Sequence, residues 1–336
     1  MSALTSGRLI AEASPRALAG LIALFAVLLV APLFVSGYLV AVLIVILSLA
    51  YMGQAWNIML GFAGQLSLGH ALYFGLGAYI AAAGYVKIGL SPWLGMIVGA
   101  IASAVMGAII GALGFRFRIG GVYFALLTIA FAEMTRILFD HIGWLGGSGG
   151  LFLPVASRTS NDLWTLRGAP VMFYYVWLAL TAALFILCRA LLSSRLGYYW
   201  LAIREDEEAA RAVGIDTFRY KMIAVMLSAA VTSVAGVIHA FYFNNLFPET
   251  TFSITRSIEL LLGPIIGGVG TLFGPILGAF VLTPLSESMT VLAEHVQLGS
   301  KAVDGIKQVF YGLIVIVIVL FQRRGLWPWL ARHMKL

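Results

Sequence analysis

The sequence predicts an all-α integral membrane protein: 61% of its 336 residues are hydrophobic, only 10% are charged, and the mean hydropathy is +0.99. Soluble domains carry about a quarter charged residues. Apolar runs of membrane-spanning length recur along the whole chain, separated by short polar connections. The formal charge of +7 implies no nucleic-acid partner, because basic residues retained on the cytoplasmic side of a membrane produce the same excess. The single cysteine, Cys188, can form no intrachain disulfide and reads as a small apolar filler.

In order, the apolar segments centre on residues 17–35, 38–59, 71–86, 93–114, 121–140, 170–192, 220–243, 256–269, 273–293 and 304–321, about ten spans. The first follows Arg8 and Arg16, a layout shared with signal peptides. No small-x-small cleavage site follows it and another run begins at Tyr38, so it reads as a retained span. A cytoplasmic N-terminus places Arg116, Arg118, the 194–221 stretch and a tail with Arg323, Arg324, Arg332 and Lys335 inside. The outer connections then hold fewer basic residues, Lys87, Arg158, Arg167 and Lys301. Both termini are expected in the cytoplasm.

Two places break the pattern. Gly61-Phe-Ala-Gly64-Gln65-Leu-Ser67-Leu-Gly69-His70 is too polar and glycine-rich for a lipid-facing helix, so its backbone must be buried in protein or line a cavity. Residues 257–270, with Gly263-Pro264 inside and Gly267, Gly268 and Gly270 at the end, read as a broken or half-length helix. The spacing Gly61, Gly64, Gly69 compares with Gly267, Gly270, Gly274. Paired interrupted segments of this kind point to a transporter's central pathway.

One charged island remains, Leu201 to Gly214. It reads as a short polar helix over 204–214, with Glu205 to Glu208 at the positive end of the dipole, Arg211 near the negative end and Gly214 as stop. Ala209, Ala212 and Val213 share one face, small enough to sit in another protein's groove. Glu208-Ala209-Ala210 followed by Gly214 resembles the Glu-Ala-Ala-x-x-x-Gly loop by which ABC importer permeases engage their ATPase. A solvated loop is the plainer reading of the charges alone.

Together with 61–70 and the 257–270 segment, this island makes the chain resemble, over nearly its whole length, the LivM-type permease of branched-chain amino acid ABC transporters. The resemblance implies one permease domain over 1–336 with a cytoplasmic coupling loop at 194–219. It implies a LivH-type partner permease, two ATPase subunits that hold ATP-Mg, and a periplasmic amino-acid-binding protein, with no cofactor on this chain. Glu208, Ala209, Ala210, Ala212, Val213 and Gly214 would make the coupling contact. Two departures stand out: no proline follows Gly214 before the next span, and Gly149 occupies the family's acidic or amide position in Gly146-Gly-Ser-Gly-Gly150.

Other candidates follow from residue chemistry. Gln54, Asn57, Gln65, Ser67, His70 and Thr128 could line a polar route or hydrogen-bond between helices. Glu133 and Glu259 sit at membrane depth and need partners; Arg136 and Arg256, each three residues on or back, allow intrahelical pairs. His70 and His239 lack metal spacing. Gly146-x-Ser148-x-Gly150 matches a nucleophile elbow only formally, without the strand-to-helix turn it requires. No phosphate loop is present, so ATP must be used elsewhere. The readings left open are the same machine with urea, short amides or another small solute as cargo, and a proton-coupled secondary transporter using Glu133 or Glu259.

Overall fold

A computed structural model describes residues 15–154 and 161–295, with fragments between 305 and 333. The predicted tenth span is described only in those fragments, and Arg8, Arg158, Lys301, Arg323 and Lys335 lie outside the described residues. The helices are α1 (Pro15–Val30), α2 (Gly37–Asn57), α3 (His70–Ile88), α4 (Pro92–Arg116), α5 (Gly121–His141) and α6 (Pro170–Ser193). There follow α7 (Arg195–Glu205), α8 (Glu207–Ala212), α9 (Thr217–Phe243), the single turn α10 (Pro248–Thr251), α11 (Ile254–Gly267), α12 (Gly274–His295) and α13 (Leu326–His333). Six helices among the described residues are long and apolar enough to cross a membrane: α2 with its extension to Phe62, α3, α4, α5, α6 and α9. The shortest of these, α3, has 19 residues, about 28 Å at 1.5 Å per residue.

The chain divides into two compact units, and the division falls inside α2, α6 and α11. One holds the described parts of Met1–Gln54, Tyr174–Arg189 and Leu261–Leu336. Here tyrosine hydroxyls on α6 donate to main-chain carbonyls, Tyr174 to Leu28 O at 2.5 Å and Tyr175 to Leu29 O at 3.2 Å. Rings add to the packing: Tyr51 meets Trp177 edge-on and Phe273 stacks on Trp327. Leu262, Ile266, Leu282 and Ile314 form a buried cluster.

The 257–270 segment, which enters this unit at Leu261, takes a different form from its sequence reading. Gly263-Pro264 does not break the helix, because α11 runs through Pro264 and the proline ring sits against Gly53, where no side chain competes for the space. The half-length expectation holds. α11 has 14 residues, about 21 Å, short of the roughly 30 Å hydrocarbon layer. It ends at Gly267, whose missing Cβ admits the Gly274 carbonyl, and Gly268 and Gly270 continue in left-handed or glycine-only backbone at φ +128° and +78°.

The other unit holds Ala55–Phe173 and Ala190–Leu260. Its centre is the packing of α3, α4 and α9. One face of α4 is a buried row of Gly95, Gly99, Ser103, Gly107 and Gly111, and the opposite face exposes Leu94, Ile97, Ile101, Val105, Ile109 and Leu113. Lipid chains are as apolar as these side chains, so helices associate by close approach of small residues rather than by burying leucine. The approach is closest at Gly77 and Gly236, where an added Cβ would overlap the carbonyls of Ser233 and Phe74.

The helices of this unit run up and down. At one end lie the 61–69 turn, the α4–α5 connection and α7–α8, tied by Arg204 to Gly61 and by Lys221 to Glu207. At the other end a two-residue antiparallel ribbon pairs β1 (Leu151–Phe152) with β2 (Asn245–Leu246), Tyr79 donates to Leu246 O, and Trp93 donates to Leu163 O. The Gly146–Gly150 stretch is at this second end as short 3-10 turns with exposed Ser148, and not a strand-to-helix elbow.

Gly236→Ala tests the close packing. Alanine favours a helix by about 1 kcal/mol over glycine, whereas the overlap with Phe74 O should destabilise by about 1–3 kcal/mol, so the clash should win. A lowered thermal midpoint of the purified protein is expected, with Gly120→Ala, which meets nothing within 4 Å, unchanged.

Candidate coupling site

The island folds as two helices rather than the single one expected over 204–214. The break is at Asp206, whose extended backbone and carboxylate cap α8: Oδ1 accepts from the main-chain N–H of Glu208 and of Ala209, each at 2.9 Å. Aspartate is a far better N-cap than glutamate, and this decides where in the acidic run Glu205 to Glu208 the helix restarts. At the far end Ile215 N–H bonds to Ala210 O and Gly214 N–H to Arg211 O, with Gly214 at φ +89°. This is a Schellman stop, and glycine is required there by conformation, since an added Cβ would meet nothing within 4 Å.

These two caps fix which side chains face outward. Glu208, Ala209, Ala212, Val213 and Gly214 are exposed, with Val213 at 78%. Ala210 departs from its expected place: it is buried, because its position on the helix turns it toward the body of the unit. The exposed set is thus a small apolar ledge of Ala209, Ala212 and Val213 beside one acid.

Ion pairs hold the ledge in place. Glu207 bonds Lys221 at 2.8 Å and Arg211 at 2.9 Å, and the Lys221 ammonium also lies 4.5 Å from the centre of the Phe115 ring. Partial burial works against ionisation of Glu207, but the Lys221 ammonium, Thr217 and Arg211 outweigh it and hold the carboxyl below the usual glutamate range. With a depressed folded-state value, the stabilisation from this group is present above the ordinary glutamate value and is lost as pH falls through the depressed one. The attachment should therefore be constant through neutral pH.

The preceding helix reaches the interrupted segment. Arg204 on α7 donates from Nη1 to the Gly61 carbonyl at 2.5 Å and from Nη2 to Glu205 at 2.9 Å. Its side chain packs where a Cβ on Gly64, at φ +72°, would lie. α2 ends in a π-helical turn, Ile58–Phe62, and the chain from Ala63 to Gly69 is non-helical. Its polar groups find partners: Trp56 Nε1 donates to Ser67 O, Leu68 N–H to Thr128 Oγ1, and Gln65 Nε2 to Ala63 O. Gly69 packs so closely on the Thr128 carbonyl that a Cβ would overlap it.

His70 begins α3 inside this network. Ser228 Oγ donates its one proton to Ala55 O at 2.7 Å, so it must accept from His70 Nε2 at 2.9 Å. The imidazole is then protonated at Nε2, and Nδ1 accepts from Ser67 Oγ at 3.0 Å. Ser67, His70 and Thr128 therefore join α3 to α5 and α9 through protein hydrogen bonds. Asn57 is buried at the end of α2; Gln54 is also buried, with both side-chain polar atoms lacking a partner among the described residues. Gln65 is half-buried.

Both expected acid–base pairs form. Arg256 meets Glu259 at 3.1 Å and lies over the Phe74 ring. Arg136 meets Glu133 at 2.5 Å and also Asp140 at 2.7 Å, a second acid whose i, i+4 position was readable in the sequence. Glu133 is half exposed beside Met134, Ile137 and Leu138. Gly64 and Gly270, matched by the glycine spacing, share nearly the same left-handed φ, +72° and +78°.

Residues 33–320 match the family described as branched-chain amino acid transport system / permease component. The chain belongs to this family. It is 29% identical, over 94% of its length and 76% of the relative's, to the Escherichia coli (strain K12) high-affinity branched-chain amino acid transport system permease protein LivM. To a probable LivM permease protein of Methanocaldococcus jannaschii it is 22% identical, over 82% of this permease and 84% of that one. A LivH permease protein of Salmonella typhimurium is 22% identical over 69% of the chain and 79% of its own length. No solved structure matches. The chain is thus a LivM-type branched-chain amino acid permease in sequence, a membrane component rather than an enzyme.

The Arg256–Glu259 pair gives a test of structure against transport. Removing one charge strands the other in a poorly hydrated place, so Glu259→Gln should lower the amount of folded protein, and adding Arg256→Gln should restore part of it. Normal abundance with abolished uptake in the single variant, unrelieved in the double, would make Glu259 a pathway residue instead.

Proposed function

We propose that this permease is the LivM-type subunit of an ATP-binding cassette importer that moves branched-chain amino acids inward across a bacterial inner membrane. It pairs with a LivH-type permease, two ATPase subunits supply the energy from ATP-Mg, and a periplasmic binding protein delivers the amino acid. The names of its relatives support the cargo and the partner. About ten spans fit the chain if α1, the half-length α11, α12 and the 304–321 run join the six long helices. Both termini then lie in the cytoplasm, on the side of α7 and α8.

The observation that carries this reading is the ledge of Ala209, Ala212 and Val213, exposed on a capped helix and backed by Arg204 on the Gly61 carbonyl. A groove on the ATPase accepts the ledge; movement of the ATPase pair displaces α8 and α7; Arg204 carries the displacement into the 61–69 segment and the start of α3. Alternating access follows as the spans rock around a central site. Glu133 and Gln54 are candidates for the path, the first because a charged pair exposed on a span belongs against protein or water rather than lipid, the second because its buried amide lacks a protein partner. Asn57, Gln65, Ser67, His70 and Glu259 serve the path by shaping the segments that bound it.

A cysteine at Val213 carrying a thiol-attached photo-cross-linker should cross-link to the ATPase in membranes. Val213→Asp should reduce leucine uptake and transport-stimulated ATP hydrolysis together, with insertion unchanged. Gly214→Val should do the same and Gly214→Asn much less, since asparagine tolerates the left-handed backbone. Leucine accumulation by this subunit without any ATPase would refute the mechanism. Reporter fusions after Lys335 and within 144–168 should lie on opposite sides of the membrane; the same side for both would exclude this topology.

A further inference from the structure

We propose that the cleft between the α4–α5 connection and α8 binds the phosphate headgroup of an anionic phospholipid. The cleft has a volume of about 430 Å³ and is lined by Phe115, Arg116, Arg118, Glu207, Arg211 and Lys221, with Asp216 and Phe218 at the base of α9. That volume is in the range of small-ligand sites. Two acids, Glu207, paired with Lys221 and Arg211, and Asp216, which caps the Arg219 N–H, face four cationic side chains, Arg116, Arg118, Arg211 and Lys221. Arg116 and Arg118 have no ion pair among the described residues, so the cleft presents uncompensated positive charge.

Arg118 is one of three non-glycine residues at positive φ among the described residues, with Leu166 and Asn244, and the one of the three that lines the cleft. α4 ends in a Schellman stop, Ile119 N–H to Gly114 O at 2.7 Å and Arg118 N–H to Phe115 O at 3.3 Å. The left-handed residue of that stop is Arg118, at φ +55°. Glycine takes this conformation freely and an arginine does not. A favourable charge at the negative end of the helix needs no such placement, as Arg116, two residues earlier, already supplies it. Strain kept at a charged residue points to work done by its side chain.

Two features select a lipid over a soluble anion. Arg116 lies one turn beyond Leu113 on the exposed face of α4 that also carries Ile109 and Val105, so acyl chains can run along that face from a headgroup held at Arg116. Phe117, between the two arginines in the chain, and Tyr123, in the first turn of α5, are exposed aromatic side chains of the kind found at the headgroup level of membranes. Basic pockets at helix ends facing the anionic leaflet hold lipid phosphates by the same forces.

The test is native mass spectrometry of the purified full chain incubated with equal amounts of phosphatidylglycerol and phosphatidylcholine. The chain should retain phosphatidylglycerol preferentially, and Arg116→Gln with Arg118→Gln should reduce the preference by about fivefold per arginine. Arg118→Gly guards against misfolding, because it relieves backbone strain: it should keep or raise the thermal midpoint while still weakening the preference. Arg332→Gln, a charge loss outside the cleft, should leave it unchanged. The proposal is overturned by equal retention of both lipids, by an unchanged preference in the cleft variants, or by an equal loss in Arg332→Gln. Displacement of the lipid by millimolar inorganic phosphate would overturn it too, assigning the cleft to a soluble anion.

Discussion

Main chain that leaves helical geometry inside a membrane protein must find its hydrogen bonds in protein, because hydrocarbon offers none. Residues 63–69 are the place where this constraint is met in the second unit, and its packing follows from the solution. Trp56 and Thr128 each supply a partner, Ser67 and His70 pass the network to Ser228 and thence to Ala55, and Arg204 closes it from outside the helical bundle at Gly61. The small residues of α3, α4 and α9 then let three helices approach closely enough to place those donors and acceptors within reach.

The same arrangement explains why a polar island can act on a buried segment. α8 is short, and six residues alone would not hold a helix in water. Its caps, Asp206 and Gly214, and its ion pairs from Glu207 to Lys221 and Arg211 make it a fixed projection of the unit. A ledge so fixed transmits displacement; a floppy loop would absorb it. Arg204 lies on the adjoining helix, immediately before the acidic run begins, and its guanidinium is the direct hydrogen bond from this region to the interrupted segment among the described residues.

Several features were legible in the sequence because they rest on local rules. The interrupted segments follow from glycine and polar content, the pairs Glu133–Arg136 and Arg256–Glu259 from i, i+3 spacing, and the Gly214 stop from its place after the last apolar residue. Two other features had a local signal: Asp206 is the strong capping residue among four acids, a choice that the island's charge pattern masked, and the four-residue spacing of Gly95, Gly99, Ser103, Gly107 and Gly111 marks the buried face of α4. The inward turn of Ala210, the Lys221–Glu207 bond and the contact of Arg204 with Gly61 depend on tertiary packing between distant residues. No periodicity or spacing encodes them. The continuity of α11 through Pro264 is of the same kind, since it needs the bare backbone of Gly53 beside the ring.

The central claim is that Arg204 links the docking region to the interrupted segment. It is tested most directly by Arg204→Gln in the reconstituted importer, measuring leucine transported per ATP hydrolysed. A hydrogen bond from a charged group is worth about 1.5–3 kcal/mol, so a fall of at least about tenfold in that ratio is expected, with the ATPase subunits still co-purifying. An unchanged ratio in the intact assembly would contradict the account.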